Sequence, residues 1–472
     1  HKRSYSVTGV QTCSLPIFKD WFFRHAESIF LSSITLLTIV ILFLLAMAAQ
    51  VSQILTGIPL GTFISQFNSS QIQVADPILW LIAALIGVLM VVPALTIATS
   101  LVNWLITMLV PPRSLPKLNF KSGLPAGFEA LVVIPALLTS EEEIQSLVKQ
   151  LELHYLRNPQ PGLRFALLTD FTDADQETLA TDDHLVNYAS EAISQLNKKY
   201  IAERVSSKPV YPEKGYQGKN ENHENEELFF LLHRKRLWNP SEGKWMGWER
   251  KRGKLHELNL LLRGGKGLSF IQTIDNKAAL QALQAVRFVI TLDADTILPM
   301  GAASRLAGTL AHPLNQPVIN PSTGKVISGY TILQPRVEIH PKSANFSWFT
   351  KLFAGDAGLD LYTLAVSDVY QDLFGEGSYV GKGIYDIDAF EKCVDAHIPE
   401  NTVLSHDLLE GIMGRAGLVT DITLVEDYPP NYLAQIMRQR RWIRGDWQLL
   451  PWLFKPKDRK STRLNSSHRI RS

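Results

Sequence analysis

Two uncharged apolar runs occupy the first quarter of the 472-residue chain, and short apolar runs alternate with amphipathic stretches over the rest. Ile29 to Ala49 is 21 residues without a charge, enough to cross a hydrocarbon core of ~30 Å. Pro77 to Val110 is a second such run of 34 residues. At ~1.5 Å per residue it is too long for one straight span and too short for two with a turn. The pattern predicts a kinked span over about residues 78–98 that tolerates Pro93, then an interfacial stretch around Trp104 closing at Pro111-Pro112. Beyond that point, Ala130–Ile134 predicts a buried strand ending at Pro135. Ser140 then caps a helix, with Glu143 in capping-box position and Ile144, Leu147, Val148 and Leu151 on one face. A second strand, Arg164–Thr169, ends at Asp170, and a third, Phe288–Leu292, ends at Asp293. The polar stretch 205–227 predicts an exposed loop. Strand–helix alternation of this kind implies an α/β sheet, in which ligands bind at the carboxyl ends of strands. Asp170, Asp293 and Asp295 all lie at such ends.

Lys and Arg placement sets a side for each part. Lys19 and Arg24 precede the first span, Arg113 and Lys117 follow the second, and residues 50–76 contain neither type. The positive-inside rule puts that loop outside and everything after residue 111 in the cytoplasm. A signal peptide is the alternative for the first span, since Ala46-Met-Ala48 resembles a cleavage site, but the second span would still return the large domain to the cytoplasm. Asn68-Ser-Ser70 has the glycosylation pattern, which means little in a bacterial protein.

Composition changes the picture only after the ends are considered. Residues 458–468 read as a translated sequencing-adapter sequence, and residues 7–17 resemble its reverse complement. Residues 1–17 and 458–472 are therefore expected to be artefact on a fragment of a longer protein. Setting them aside removes seven basic residues and one acidic residue, which turns a net charge of +2 into −4. Nucleic-acid binding is not implied. Cys13 goes with them, leaving Cys393 as the one native cysteine, a small buried hydrophobe by type.

Asp293-Ala-Asp295 is the strongest candidate for chemistry. Two carboxylates at a strand end offer hard oxygen ligands, and Mg²⁺ or Mn²⁺ held there can clamp a diphosphate; capping of the following turn is the competing reading. Asp173-Ala-Asp175 runs into Gln-Glu-Thr-Leu and reads as a helix N-cap, while Asp386-Ile-Asp388 reads as a turn or helix start. Asp170 fits a uracil or ribose partner or, alternatively, a turn. In Glu249-Arg-Lys-Arg-Gly-Lys254, Gly253 could admit a ligand to the backbone and Lys254 could reach a diphosphate before Leu255 starts a helix; a solvated basic face is the alternative. Ser405-His-Asp407 opens a helix, with Asp407 either a cap or a general base. No His406–Asp407 dyad is expected, because neighbours on a helix point apart. Arg438 to Trp447 combines cations with indoles: Arg441 suits diphosphate charge and Trp442 a sugar ring, while Trp447, Trp452 and Lys455 suit a membrane boundary. Phe374 to Gly383 has four glycines in ten residues but no dinucleotide context, and predicts a loop close to an acceptor chain.

Taken in order, Asp170, Asp293-Ala-Asp295, Asp407 and Arg441-Trp442 resemble the D, DxD, [TE]D, QxxRW series of processive GT-A glycosyltransferases such as cellulose synthase. The chain is more similar to glycosyltransferase family 84, the cyclic β-1,2-glucan synthases. The strings that carry this are HRKRLWNPSEGKWMGWERKRGKL (233–255), FVITLDADTILP (288–299), GEGSYVGKGIYDIDAF (375–390), ENTVLSHDLLEG (400–411) and RQRRWIRGDWQLLPWLF (438–454). Arg438 replaces the Gln of QxxRW, and Ser405-His406 replaces the usual Thr-Glu, so a role for that Gln does not transfer. Enzymes of osmoregulated glucan synthesis resemble the chain at both places.

The resemblance implies an α/β fold, a GT-A-like domain with N-terminal transmembrane helices. It implies a membrane region over 18–112, a cytoplasmic glycosyltransferase domain over 113–437 and an Arg/Trp-rich interfacial helix over 438–457. UDP-glucose is the implied donor, bound by Asp170, Lys254, Asp293 and Arg441, with Mg²⁺ or Mn²⁺ on Asp293 and Asp295. Asp407 is the implied base of an inverting transfer, and Trp442, Gly375, Glu376 and Gly377 face a growing β-glucan acceptor. The implied setting is the bacterial inner membrane, multi-pass, with the lipid bilayer and no nucleic acid as partners. An osmoregulated periplasmic glucan or cellulose-synthase-like β-glucosyltransferase of another linkage, or a non-catalytic membrane module that binds nucleotide sugar, are the alternatives.

Overall fold

The computed structural model describes residues 21–56, 77–206, 227–271, 276–354, 368–395, 397–399 and 406–454. Both chain ends, residues 57–76 with Asn68, most of the polar stretch 205–227, and Ser405 lie outside the described residues. The chain divides into two compact units, one over residues 1–113 and 358–375 and the other over 114–357 and 376–472.

The first unit contains helices α1 (Ala26–Thr56) and α2 (Pro77–Leu109). Each is long and apolar enough to cross a membrane, over Ala26–Leu45 and Gly87–Leu109. The interfacial stretch expected around Trp104 is instead part of α2, which is one 33-residue helix with Pro93 inside it. Ala94, Ala98 and Val102 are buried, and Ala98 and Val102 share a cluster with Ala26, Phe30 and Ile34 of α1. Small residues there let the helices approach closely. Their other faces leave Phe43, Leu85 and Leu89 exposed. A short helix, Val369–Phe374, adds Val369 and Leu373 to the same cluster.

The second unit is a seven-stranded sheet. Its chain order is β1 (Ala130–Leu138), α3 (Glu141–Arg157), β2 (Leu163–Phe171), α4 (Asp182–Ser206), β3 (Phe229–Arg234), a hairpin of β4 (Leu237–Asn239) and β5 (Lys244–Met246), α5 (Arg250–Leu262), α6 (Lys277–Gln284), β6 (Phe288–Thr291) and α7 (Ala302–Leu310). A small hairpin of β7 (Val318–Ile319) and β8 (Val326–Ser328) follows, then β9 (Ile332–Ile339), β10 (Gly383–Asp386), α8 (Asp407–Gly414), β11 (Gly417–Glu426) and α9 (Tyr432–Phe454). The sheet runs β11-β9-β10-β6-β1-β2-β3. All its pairings are parallel except those of β10, which is antiparallel to both neighbours. This is the mixed α/β fold with a parallel centre that the strand–helix alternation implied. Both sheet faces are covered, one around Val132, Phe165 and Ile290 and the other around Val133, Leu168 and Val289. Strands buried on two faces read as unbroken apolar runs, which is why they were visible in the sequence.

Local details differ from expectation for identifiable reasons. β1 continues through Pro135 to Leu138, because pairing with β6 stops at Val133 and the missing amide costs no ladder bond on that side. Ser140 does cap α3, accepting from the Glu143 amide at 3.3 Å, and Ile144, Leu147 and Leu151 are buried. Asp173-Ala-Asp175 caps no helix: Ala174 bridges Trp245 of β5, and α4 starts only at Asp182. Asp386 ends β10 and caps the next turn by accepting from the Ala389 amide. Cys393 is buried and free.

Candidate active site

β6 stops at Thr291, and the chain turns tightly, with the Thr296 amide donating to the Asp293 carbonyl at 3.1 Å. That turn sets Asp293 and Asp295 at the carboxyl edge of the sheet. The next residue but one, Ile297, pairs with Val425 through two backbone bonds of 2.7 and 3.2 Å. The pairing delivers Glu426, whose Oε1 accepts from Thr296 Oγ1 at 2.8 Å. Asp293, Asp295 and Glu426 thereby converge, with one carboxylate oxygen from each within 4.8 Å of the others. Glu426 was missed in the sequence, where it closes an ordinary strand and carries no motif.

Two lysines face the cluster. Lys251 Nζ donates to Asp293 Oδ1 at 2.7 Å and to the Gly381 carbonyl at 2.9 Å. Lys382 Nζ lies 3.2 Å from Asp293 Oδ2 and also pairs with Glu426. Burial raises the Asp293 carboxyl, but these two ammonium groups outweigh it and hold it below its ordinary value. Asp295 differs: partial burial, Glu426 and Asp293 all push its carboxyl up. Lys382 offsets this only in part, and the carboxyl stays above its ordinary value. The repulsion it feels is what a divalent cation relieves, and three carboxylates are hard oxygen donors, so the residues fit Mg²⁺ or Mn²⁺.

Asp407 belongs to the same corner. Gly381, at φ +82°, approaches it so closely that a Cβ there would sit 2.5 Å from Asp407 Oδ1. The Gly381 carbonyl is the one that Lys251 holds, so one turn joins the base candidate to the carboxylate cluster. His406 departs from expectation. It sits at the cap of α8 rather than inside it, and its Nδ1 lies 2.8 Å from Glu410 Oε1 and 3.6 Å from Asp407 Oδ1.

Asp170 and Lys254 are placed differently from a ligand-facing pair. Asp170 lies within β2, 2% exposed, and its carboxylate accepts from Arg234 Nε at 2.8 Å and Nη2 at 3.0 Å. Lys254 Nζ is 3.1 Å from Asp170 and donates to the Ala136 carbonyl at 2.7 Å. Burial raises the Asp170 carboxyl, yet Lys254 and Arg234 bring it below its usual range. Burial also pulls the Lys254 ammonium down to about 8, against the attraction of Asp170. The helix begins at Arg250, earlier than Leu255, which puts Gly253 inside it; a Cβ on Gly253 would meet the Trp248 carbonyl at 2.1 Å. Glycine there serves packing, and the basic residue that faces the carboxylates is Lys251 rather than Lys254.

The expected acceptor residues are scattered. Gly375 closes the short helix of the first unit at φ +71°. In the second unit, Glu376 pairs with Arg415 at 3.0 Å, and the Gly377 amide donates to the Ala416 carbonyl at 2.7 Å. The close approach that Gly377 permits is to Leu418 of β11, in place of an acceptor. Arg441 and Trp442 are exposed on α9. Arg438, standing where the resembling enzymes carry Gln, stacks on Trp442 at 4.9 Å and on Tyr428 at 5.5 Å.

A parallel-centred α/β sheet with a carboxylate cluster at its strand ends places hard oxygen ligands where open α/β sheets bind their ligands. Sequence comparison narrows the class. Over 371 residues the chain is 46% identical to the cyclic beta-(1,2)-glucan synthase NdvB of Rhizobium meliloti, a match covering 78% of this chain and 12% of that protein. Over most of its length the chain is thus similar to a cyclic β-1,2-glucan synthase, the family whose strings it resembles. It spans about an eighth of that relative's length. A second relative, glucans biosynthesis glucosyltransferase H of Ralstonia nicotianae, is 28% identical over 173 residues, 34% of this chain and 18% of that one. No family profile matches the chain. Among solved structures, a Pyrobaculum calidifontis mannosyltransferase in complex with GDP-Man and Mn²⁺ aligns over 77% of this chain and 74% of its own, with TM-score 0.40 and 13% identity.

Proposed function

We propose that this chain is the glucosyl-transferring part of a membrane-bound enzyme that builds β-1,2-glucan from UDP-glucose with inversion at the anomeric carbon. The observation that supports this best is the convergence of Asp293, Asp295 and Glu426 on one strand edge, with Asp407 against the Gly381–Lys382 turn of the same corner. Asp293, Asp295 and Glu426 would hold Mg²⁺ or Mn²⁺, which neutralises diphosphate charge when bound. Lys251 and Lys382 bring two further positive charges to the donor's diphosphate. Asp407 takes the proton of an acceptor hydroxyl as that oxygen bonds to the anomeric carbon and the C–O bond to UDP breaks. UDP leaves with the electron pair, and one displacement inverts the centre without an enzyme nucleophile. Asp170 and Lys254, locked with Arg234, shape the floor under the nucleotide, and Arg441 and Trp442 are assigned to the departing UDP and the acceptor end.

The test uses the complete protein in its membrane. Asp407→Asn is expected to abolish UDP release from UDP-glucose, chelation to abolish it reversibly, and linkage analysis to give β-1,2 bonds. A β-1,4 or β-1,6 backbone overturns the linkage, and full activity in chelator overturns the metal. UDP-glucose binding without turnover would favour a non-catalytic binding module.

A further inference from the structure

Glu410 and His406 form a buried pair that the proposed chemistry leaves unused. Their side chains are 4% and 6% exposed, and they meet at 2.8 Å across one turn of α8. A buried imidazole–carboxylate contact is costly unless both charges are present and compensated. Here the compensation extends to Asp407, whose Oδ1 lies 3.6 Å from the same nitrogen. That oxygen is buried with no hydrogen bond, while the Asp407 side chain as a whole keeps 30% exposure. Gly381 packs against the same carboxyl, where a Cβ would lie 2.5 Å from Oδ1 and 2.9 Å from Oδ2. Asp407 thus has one buried oxygen, Oδ1, beside the His406 imidazole, in a side chain that is otherwise part exposed.

Resting on the assignment of Asp407 as the base, we infer that His406, braced by Glu410, is the positioning residue that holds the buried Oδ1 of Asp407 so that its other oxygen meets the acceptor hydroxyl. The geometry needs a cation on His406. Burial disfavours it, but Glu410 and Asp407 outweigh burial and raise the imidazole above its ordinary value. The other groups facing this corner are Lys251, which opposes the imidazolium, and the buried hydroxyl of Tyr379. Sequence spacing hides the arrangement, because an i,i+1 pair meets only when the first member lies at the cap rather than within the helix.

The test measures kcat, donor KM and their pH profiles on the complete enzyme with UDP-glucose. His406→Gln keeps the polar shape and removes the charge. It is expected to lower kcat by roughly tenfold or more, leave donor KM unchanged and move the acid limb of kcat upward. Glu410→Gln is expected to reproduce the loss most strongly at alkaline pH, where an unbraced imidazole is neutral; Glu410→Asp should restore part of it. Wild-type kcat and profile in His406→Gln, with Asp407→Asn inactive, overturn the inference and leave the base in place. Activity in Asp407→Asn removes the base assignment itself. If His406→Gln fails to bind donor through misfolding, Glu410→Gln decides by the same criteria.

Discussion

Glu426 shows how a site residue can be invisible to its neighbours in sequence. Asp293 and Asp295 announce themselves because a buried strand and a two-residue carboxylate spacing are local. Glu426 joins them only through the Ile297–Val425 bridge, which spans more than a hundred residues of chain. Removing it should matter to metal rather than to fold: Glu426→Gln is expected to weaken Mn²⁺ binding roughly tenfold or more, read by electron paramagnetic resonance of free Mn²⁺. An unchanged affinity would leave the aspartates as the whole site. Gly381→Ala is the second test at this scale, since it forces a side chain onto Asp407 at a positive φ. A displacement near 1 Å costs about 100-fold in kcat, with donor binding retained. Asp170 gives the pH prediction. Its folded carboxyl lies below the unfolded value of about 4, so its stabilisation is complete above that pH and is lost as pH falls through the folded value. Arg234→Leu leaves this carboxylate buried with Lys254 alone. It should cost about 3–5 kcal/mol in urea unfolding at pH 7 and make acid unfolding less steep.

At the scale of elements, the central parallel strands β1, β2 and β6 and helix α3 are read from pattern alone, while β3, β9, β11 and the start of α5 are not. Unbroken apolar runs and a capping box are local signals that tertiary contacts reinforce. The first turn of α5 is Arg-Lys-Arg-Gly, of which only Gly253 is a poor helix former. The turn follows Glu249, however, and starts at Arg250, both at φ +50°, with no side-chain capping hydrogen bond. What fixes it is distant: Arg234 donates to the carbonyls of Trp248 and Arg250, and Lys254 reaches Ala136 and Asp170. The helix in turn serves two places, because Lys251 and Lys254 sit three apart on one face. One reaches the carboxylate cluster and the other the end of β2. Gly253→Ala is therefore expected to shift this turn against the Trp248 carbonyl, destabilise the domain by about 1–3 kcal/mol in thermal melting, and weaken donor binding. Stability lost without any change in donor binding would separate α5 from the site.

At the scale of the whole molecule, the membrane side of the chemistry follows from charge placement and not from the sheet. α1 and α2 carry large exposed apolar side chains, which a soluble core helix would hide. The proposed donor, UDP-glucose, is a charged cytoplasmic metabolite, so the proposed function requires the carboxylate cluster on the cytoplasmic side. With two crossings, that requirement predicts that the chain between α1 and α2 is outside the cytoplasm. The absence of Lys and Arg from 50–76, against Arg24 before and Arg113 and Lys117 after, gives the same orientation by an independent route. Alkaline phosphatase, which is active only outside the cytoplasm, distinguishes the possibilities when fused after residue 66 or after residue 125. Activity is expected at the first position and not at the second. The reverse pattern would place Asp293 and Asp407 away from the donor and overturn the proposed function, whatever the geometry of the site. Activity at both positions would mean that α2 does not cross, and would leave the catalytic unit without its nucleotide supply.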